Sequence, residues 1–243
     1  MQVAQALRHA DTNTNEKGET MGGIVAVTGA AGALGSEAAT ILGAAGWTVI
    51  GIDLGEVKAD GLAMALGGVD LADEGAMEQC LTRIRGEFGH LDALVNIAGG
   101  FAWETFSEGA LSTWDRLYRM NVQTTFVATR ALLPLLRVEG GAIVNLGAAA
   151  ATRAGTGMGA YAASKAGVAR LTEALADELK DSGVRVNAIL PSIIDTPANR
   201  RDMPDADFAR WVSPRQIADV VAFLISPAAV AISGALIPVS GRV

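Results

Sequence analysis

Tyr161 and Lys165 are the pair of side chains in this sequence best suited to proton transfer. They begin and end the run Tyr-Ala-Ala-Ser-Lys, which lies in a predicted helix, and residues at i and i+4 share one helix face. A free phenol, with a pKa of about 10, is a poor acid–base catalyst at neutral pH, but a neighbouring ammonium favours the phenolate. The spacing therefore predicts a general acid or base. The alternative is a tyrosine on a buried helix face beside a solvated lysine.

A second motif is the turn TGAAGALG at residues 28–35, which lies between a predicted strand and a predicted helix. Small residues there let backbone N–H groups approach a pyrophosphate, and the helix N-terminus adds a partial positive charge. Asp53 ends the next strand, where a carboxylate binds the adenosine ribose hydroxyls and repels a 2′-phosphate. The pattern predicts a dinucleotide site that favours NAD over NADP. The alternatives are a tight turn that needs glycine at positive φ, and a cap or turn role for Asp53.

The elements that must position these residues alternate between short apolar strands and helices. The predicted strands are Ile24–Thr28, Thr48–Asp53, Val69–Leu71, Asp92–Ile97, Ala142–Leu146, Val184–Leu190 and Ala235–Val239. The predicted helices are Leu34–Ala45, Asp73–Phe88, Thr113–Leu136, Tyr161–Asp181 and Pro214–Ile225. Continuous apolar strands that alternate with helices are typical of a parallel sheet covered on both faces. We expect one doubly wound, Rossmann-type α/β domain over residues 21–243, with seven strands in the order 3-2-1-4-5-6-7.

Composition excludes several classes of protein. Of 243 residues, 50% are hydrophobic and 19% are charged, which is enough apolar material for a sizeable core. The net charge of −7 argues against a nucleic-acid partner. The single cysteine, Cys80, forms no internal disulfide, and with only two histidines the chain lacks the ligands for a zinc cage. We therefore predict no metal.

Two segments resemble targeting or membrane sequences only superficially. Residues 1–20 are polar with mixed charges, and we expect a flexible tail upstream of a start at Met21. The run from Val220 to Gly241 carries no charge, but prolines and a glycine interrupt it. A helix end, a loop and a short strand therefore fit this run better than a membrane span. We expect a cytoplasmic protein without a membrane partner.

From about Gly22 to its C-terminus, the chain resembles the short-chain dehydrogenase/reductase family. The resemblance rests on TGAAGALG at 28–35, DALVNIAGG at 92–100, MNV at 120–122, AIVNL at 142–146, YAASK at 161–165 and VRVNAILPSIIDTP at 184–197. It implies hydride transfer with a nicotinamide cofactor, and three catalytic residues. Tyr161 would donate or accept the proton, Lys165 would hold the nicotinamide ribose and lower the pKa of the phenol, and Asn121 would position a relay water.

The resemblance also implies which residues contact the dinucleotide. Asp70 would meet the adenine, residues 96–99 the adenosine side, and Ile194 with Thr196 the nicotinamide carboxamide. The predicted cofactor residues are Gly29, Ala31, Gly32, Ala33, Leu34, Gly35, Asp53, Leu54, Asp70, Leu71, Asn96, Ala98, Gly99, Tyr161, Lys165, Pro191, Ile194 and Thr196. Purely structural roles stay open for Asn121, as the brace of a kinked helix, and for Thr196, as a helix cap.

The main departure from the family pattern is at Ala148, where the family has a catalytic serine. The neighbours Gly147 and Ala149 carry no hydroxyl either. That serine normally donates a hydrogen bond to the substrate oxygen, so for a simple carbonyl its loss costs about 3–4 kcal/mol of transition-state stabilisation. Thr152 and Thr156 are the candidates to replace it.

One branch of the family, the dihydropteridine reductases, lacks this serine in the same way. The chain is similar to that branch in LGAAAATRAGTGMGAYAASKAG at 146–167 and in DTPANRRDMPDADFARWVSP at 195–214. A quinonoid ring is an activated acceptor that needs less help from a serine, which agrees with Ala148. Asn121 and the segment 166–190, by contrast, resemble ordinary family members.

Several apolar residues lie in segments that the resemblance places near the nicotinamide. They could line a slot for a planar ring, and the alternative is ordinary core or interface packing. With the site position Ala148, the predicted substrate residues are Phe101, Trp103, Met158, Met203 and Trp211.

The leading interpretation is an NAD(H)-dependent oxidoreductase that transfers hydride to a carbonyl or quinonoid C=N acceptor, with Tyr161 as proton donor. The alternatives are a 3-oxoacyl or secondary-alcohol oxidoreductase and, in another class, a non-catalytic NAD-binding partner protein. The small residues Ala162, Ala163, Ala166, Gly167 and Ala169 suit close helix packing across a two-fold axis. We therefore expect a homodimer or homotetramer that binds a small-molecule substrate.

Overall fold

The centre of the protein is a parallel sheet, seen in a computed structural model that describes residues 22–58 and 61–243. The predicted tail at residues 1–20 lies outside the described residues. The strands are β1 Ile24–Thr28, β2 Thr48–Ile52, β3 Met64–Leu66, β4 Ala93–Asn96, β5 Ala142–Leu146, β6 Arg185–Pro191 and β7 Leu236–Val239. Their order is β3-β2-β1-β4-β5-β6-β7 and every neighbouring pair is parallel. The predicted doubly wound architecture and strand order are confirmed.

Helices cover both faces of the sheet. They are α1 Ala33–Ala44, α2 Glu74–Phe88, α3 Leu111–Tyr118, α4 Thr124–Glu139, α5 Gly159–Leu179, α6 Pro197–Asp202 and α7 Pro214–Ile225. Successive strand residues point to opposite faces, so Val25 and Val27 pack with α1 and α7 while Ala26 packs with α2, α4 and α5. Two buried cores result, and together they fix the strand ends that carry the site.

The third strand lies earlier in the chain than predicted. It covers Met64–Leu66, and the predicted run Val69–Leu71 is a loop after it. Gly68, at φ +74°, turns the chain away from the strand, and the N–H of Val69 then donates to the carbonyl of Asp53 at 2.9 Å. Leu71 is apolar because its side chain is buried, not because it belongs to a strand.

The single long helix predicted over Thr113–Leu136 is wrong. The structure has two helices, α3 and α4, joined by a π-helical turn over Arg119–Gln123. The hydroxyl of Thr124 donates to the carbonyl of Met120 at 2.7 Å, and that of Thr125 to the carbonyl of Asn121 at 2.8 Å. Hydroxyls that bond to carbonyls four residues back often bend helices, and single π turns are frequent at functional sites.

The uncharged run that begins at Val220 forms the end of α7, a 3₁₀ turn over Pro227–Ala229 and β7, as the prolines and glycines predict. In the part of the chain that the structure describes, no helix is both long and apolar enough to cross a membrane.

Candidate active site

A cleft of about 910 Å³ lies at the carboxyl ends of the central strands. It brings together most of the residues predicted to hold a dinucleotide. Those that line it are Gly29, Ala31, Gly32, Ala33, Leu34, Gly35, Asp53, Leu54, Asp70, Leu71, Ala98, Gly99, Tyr161, Lys165, Ile194 and Thr196. A groove of about 1000 Å³ lies at the opposite end of the strands, beside Gly22, Asp92 and Arg185. The lining described for that groove contains no predicted site residue, so the chemistry belongs to the cleft.

The glycine-rich turn forms one end of the cleft. Gly29 has φ +75°, and a Cβ atom there would lie 2.6 Å from the backbone nitrogen of Ala98. Both the backbone angle and the close approach therefore require glycine at this position. Gly32 caps α1 with no side-chain hydrogen bond, and the first turn of α1 holds no acidic residue. Its N–H groups are left to an anionic ligand, and this cradle fits a pyrophosphate.

Asp53 lies at the end of β2 beside this turn. Its Oδ2 accepts a hydrogen bond from the N–H of Ala31 at 3.0 Å, and its Oδ1 accepts one from the N–H of Gly55 at 2.8 Å. Asp53 therefore does have the turn role that was the alternative to ribose binding. A carboxylate has about four acceptor positions, so the two roles are compatible.

Asp70 also lines the cleft. Its Oδ1 accepts a hydrogen bond from the N–H of Ala72 at 2.9 Å, and its Oδ2 lies 2.6 Å from the guanidinium of Arg119. The backbone hydrogen bond from Ala72, with a smaller contribution from Arg119, lowers the pKa of Asp70 despite partial burial. The carboxylate is therefore charged and held in place at neutral pH.

Asn121 lies in the π-helical turn and is fully buried. Its amide accepts a hydrogen bond from the N–H of Gly100 at 2.9 Å and donates to the carbonyl of Gly100 at 3.1 Å. It also donates to the hydroxyl of Ser164 at 2.9 Å, and that hydroxyl donates to the carbonyl of Tyr161 at 2.7 Å. Asn121 thus braces the loop after β4 against α5, and its relay-water role stays a prediction.

Tyr161 and Lys165 both face the cleft from α5. The ammonium of Lys165 donates a hydrogen bond to the carbonyl of Leu146 at 2.8 Å. Burial lowers the pKa of Lys165 to about 8 and raises the pKa of Tyr161 to about 12. The residues alone therefore move the phenol away from ionisation, in the opposite direction to the prediction, because loss of hydration disfavours the phenolate.

Ala148, one of the predicted substrate residues, is buried and lies outside the cleft lining, as do both threonines proposed to replace the missing hydroxyl. The hydroxyl of Thr152 donates to the carbonyl of Ala149 at 2.8 Å, on the exposed side of its loop. The cleft does contain two other threonines. The hydroxyl of Thr124 donates to Met120, and the hydroxyl of Thr196 caps α6 by accepting from the N–H of Asn199 at 3.2 Å.

Only one of the predicted aromatic substrate residues lines the cleft as described. Phe101 packs edge-on against the ring of Tyr161, with ring centroids 4.8 Å apart and planes at 81°. Trp103 lies close by on the same loop and is 59% exposed. Trp211 is buried against Phe208 at 4.8 Å, and Met158 and Met203 also lie outside the cleft lining.

Two predicted cofactor residues also lie outside the lining. The amide of Asn96 is buried and donates to the hydroxyl of Thr129 at 3.0 Å and to the side-chain oxygen of Asn145 at 2.9 Å. Pro191 is buried at the end of β6. Two arginines that the sequence did not single out, Arg119 and Arg201, do line the cleft. Residue type alone cannot distinguish them among 19 basic residues.

The comparisons with known proteins agree with this arrangement. Residues 23–207 match the short chain dehydrogenase family. The D-threitol dehydrogenase of Mycolicibacterium smegmatis is 34% identical over 239 residues, which cover 90% of this chain and 92% of that protein. The 3-oxoacyl-(acyl-carrier-protein) reductase FabG of Vibrio cholerae is 31% identical over 238 residues, covering 90% and 96%.

A solved structure supports the fold. Carveol dehydrogenase from Mycobacterium avium, in complex with NAD, matches with a TM-score of 0.81 at 24% identity, over 92% of this chain and 98% of that one. A family match over most of the chain, with relatives above 30% identity along nearly their whole length, establishes that the chain belongs to the short-chain dehydrogenase/reductase family of NAD(P)-dependent oxidoreductases.

Proposed function

We propose that the chain is an NAD(H)-dependent reductase whose preferred acceptor is an activated C=O or C=N group, such as that of a quinonoid dihydropterin. The observation that carries this proposal is Ala148, which has no hydroxyl at the position where the family has a serine. Among the threonines of the described residues near the site, Thr152 and Thr156 lie outside the cleft lining, the hydroxyl of Thr124 donates to Met120, and the hydroxyl of Thr196 caps α6. An electron-poor acceptor needs less stabilisation of developing negative charge than a simple ketone does.

Different residues of the cleft suit different parts of a dinucleotide. The N–H groups of the first turn of α1 suit the pyrophosphate, Asp53 suits the adenosine ribose, and Lys165 is near enough to Tyr161 to hold the second ribose. When bound, the reduced dinucleotide would supply a hydride for the carbon of the C=O or C=N group. Tyr161 supplies the matching proton to the oxygen or nitrogen from its Oη, and water restores that proton afterwards.

The position of Asp53 predicts a preference for NADH. A 2′-phosphate beside this carboxylate is a like-charge contact in a partly dry site, so kcat/KM with NADH should exceed that with NADPH by at least about tenfold. Asp53→Asn removes the negative charge of the side chain and keeps a similar shape. The preference for NADH over NADPH in kcat/KM should therefore fall by about tenfold. Steady-state kinetics with both cofactors measures it. Glu56→Gln removes an exposed charge nearby and is the matched control. Equal kcat/KM values for the unmodified enzyme would overturn the assignment.

The missing hydroxyl predicts the order of substrates. The unmodified enzyme should reduce a quinonoid dihydropterin with a much higher kcat/KM than a plain β-keto ester. Ala148→Ser should narrow that gap by improving the keto ester by about tenfold or more, because a hydroxyl donor to a developing oxyanion is worth up to 10²–10³ in rate. Ala149→Ser places a hydroxyl one residue away and serves as the control. A higher kcat/KM with the keto ester than with the dihydropterin would contradict the proposal.

The second candidate is a secondary-alcohol or 3-oxoacyl oxidoreductase. The names of the relatives favour it, since one acts on D-threitol and another on 3-oxoacyl groups. The same comparison of substrates decides between the two. A non-catalytic role would leave unexplained why the cleft brings the phenol of Tyr161 and the ammonium of Lys165 together on one helix face.

We also propose that the protein is a homodimer or homotetramer. The structure supports this proposal through residues other than the small ones named from the sequence. Of the small residues on α5, Ala162 and Ala169 are buried within the chain and Gly167 faces Val122. The stronger support comes from large apolar side chains that α3 and α4 leave exposed, namely Leu111, Trp114, Tyr118 and Phe126.

A further inference from the structure

The loop after β4 carries three exposed aromatic side chains, the first of which contacts Tyr161. We call residues 101–106 the aromatic arm, and Phe101, Trp103 and Phe106 are 51%, 59% and 95% exposed. Exposed aromatic rings are costly in water, so a cluster of them beside a catalytic cleft indicates a binding surface. Phe101 and Trp103 of this arm are predicted substrate residues, but that prediction does not say which substrates they favour.

Contacts to the loop before α5 hold the aromatic arm in place. The indole N–H of Trp103 donates to the carbonyl of Thr156 at 2.9 Å, and the N–H of Glu104 donates to the carbonyl of Gly157 at 2.9 Å. The indole ring lies against Gly157, where φ is +74° and any Cβ atom would overlap the ring. The arm is therefore fixed relative to the residues that immediately precede Tyr161.

Within this arm, Phe101 reaches the cleft. Its ring packs edge-on against the ring of Tyr161, so a substituent next to the group that Tyr161 protonates can lie against Phe101. The side-chain donors of the arm are already used, because the indole N–H of Trp103 donates to Thr156 and the hydroxyl of Thr105 is bonded to Glu108. A polyol would find no free side-chain donor in the arm, whereas a planar ring would gain contact with Phe101.

We propose that Phe101 is a specificity-determining residue and that it selects substrates whose reacting C=O or C=N group lies in, or is attached to, a planar ring. Trp103 is a positioning residue that holds Phe101 against Tyr161. The inference rests on the proposed function only in taking the cleft as the place where substrate is reduced. It holds whether the acceptor is a dihydropterin or a simple ketone.

The test compares acetophenone with 2-octanone, two methyl ketones of equal carbon number, as substrates with NADH. For the unmodified enzyme, kcat/KM should be higher for acetophenone, and Phe101→Leu should reduce that preference by about three- to tenfold, mainly through KM. Trp103→Phe keeps a ring but loses the N–H, and it should change the preference in the same direction. Phe106→Leu, on the same arm but outside the cleft lining, should leave the preference unchanged.

A binding measurement keeps this inference separate from the reaction itself. Calorimetric titration of acetophenone into the enzyme with NAD bound should show binding that Phe101→Leu weakens and Phe106→Leu does not. If no ketone or dihydropterin is reduced but this pattern of binding appears, the proposed function fails and the role of Phe101 stands. No preference for the ring ketone, or the same loss from both leucine variants, overturns the inference.

Discussion

Replacing Tyr161 by phenylalanine should lower kcat at least about 100-fold while leaving NADH affinity within about twofold, because a placed acid–base contributes at least that factor to the chemical step. The phenol adds little to ground-state binding, so the loss should appear in turnover. The ring, and its edge-on contact with Phe101, remain in the variant. Steady-state kinetics with the preferred acceptor, together with a fluorescence titration of NADH, measures both quantities.

The chain offers a matched control for this variant. Tyr118, the other tyrosine, is 52% exposed at the end of α3. Tyr118→Phe removes the same hydroxyl outside the cleft lining and keeps the apolar ring offered for subunit association, so kcat should stay at its normal value. If Tyr161→Phe also turned over at a near-normal rate, Tyr161 would lose its assignment as the proton carrier and the mechanism would need another acid.

Replacing Lys165 by methionine should lower kcat by a factor of about 100 or more and change the pH dependence of stability at the same time. Burial lowers the pKa of Lys165 from 10.5 to about 8, so folding disfavours its charged form. The unfolded chain then binds more protons between about pH 8 and pH 10.5, and in this range the contribution of Lys165 to stability rises with pH. Below pH 8 the group destabilises the folded state, by roughly 3 kcal/mol from the shift alone.

Removing that buried charge has an opposing cost. The methionine side chain would leave the carbonyl of Leu146 without its donor, which costs about 1–3 kcal/mol at any pH. The informative quantity is therefore the difference in Tm between the variant and the unmodified protein. Relative to the unmodified protein, the variant should have its highest Tm at pH 7. This relative Tm should fall as the pH approaches 10.5.

Lys180 provides the control for the lysine experiment, because it is an exposed lysine paired with Asp177. Lys180→Met should leave kcat unchanged and should not reproduce the trend in Tm above pH 8. Thermal unfolding in buffers from pH 7 to pH 10, followed by circular dichroism, provides the comparison. If the Tm difference between Lys165→Met and the unmodified protein did not vary with pH, the inference that burial lowers the pKa of Lys165 would be wrong.

The strands and the glycine turn could be predicted because their signals are local. β1 and β5 are short runs of branched apolar residues and are found where the sequence places them. The run Thr113–Leu136 does not by itself show the break between α3 and α4, because the break accompanies hydrogen bonds between Asn121 and Gly100, which are 21 residues apart. Only the family resemblance raises a kinked helix braced by Asn121. Local patterns predict which elements form, whereas contacts between distant residues decide where those elements bend.

The same distinction applies to the site. The spacing of Tyr161 and Lys165 on one helix face is local and predicts their shared cleft. The direction in which the pKa of Tyr161 shifts depends on burial by the whole domain. It could not be predicted from the spacing of Tyr161 and Lys165. Aromatic residue type likewise does not show that Trp211 is buried against Phe208 while Phe101 faces the cleft. The oligomeric state and the cytoplasmic location stay predictions.

The π-helical turn over Arg119–Gln123 makes chain length itself a constraint on this part of the protein. A π turn contains one residue more than an α-helical turn, so deleting a residue here would favour a regular helix. When the deletion restores a regular helix in this way, α4 keeps its rotation, and Val127, Leu132 and Leu135 stay in the core that now buries them. The placement of Asn121 is lost instead, together with its hydrogen bonds to Gly100 and Ser164. The extra residue therefore serves the site and not the core, so a one-residue deletion here should lower activity more than stability.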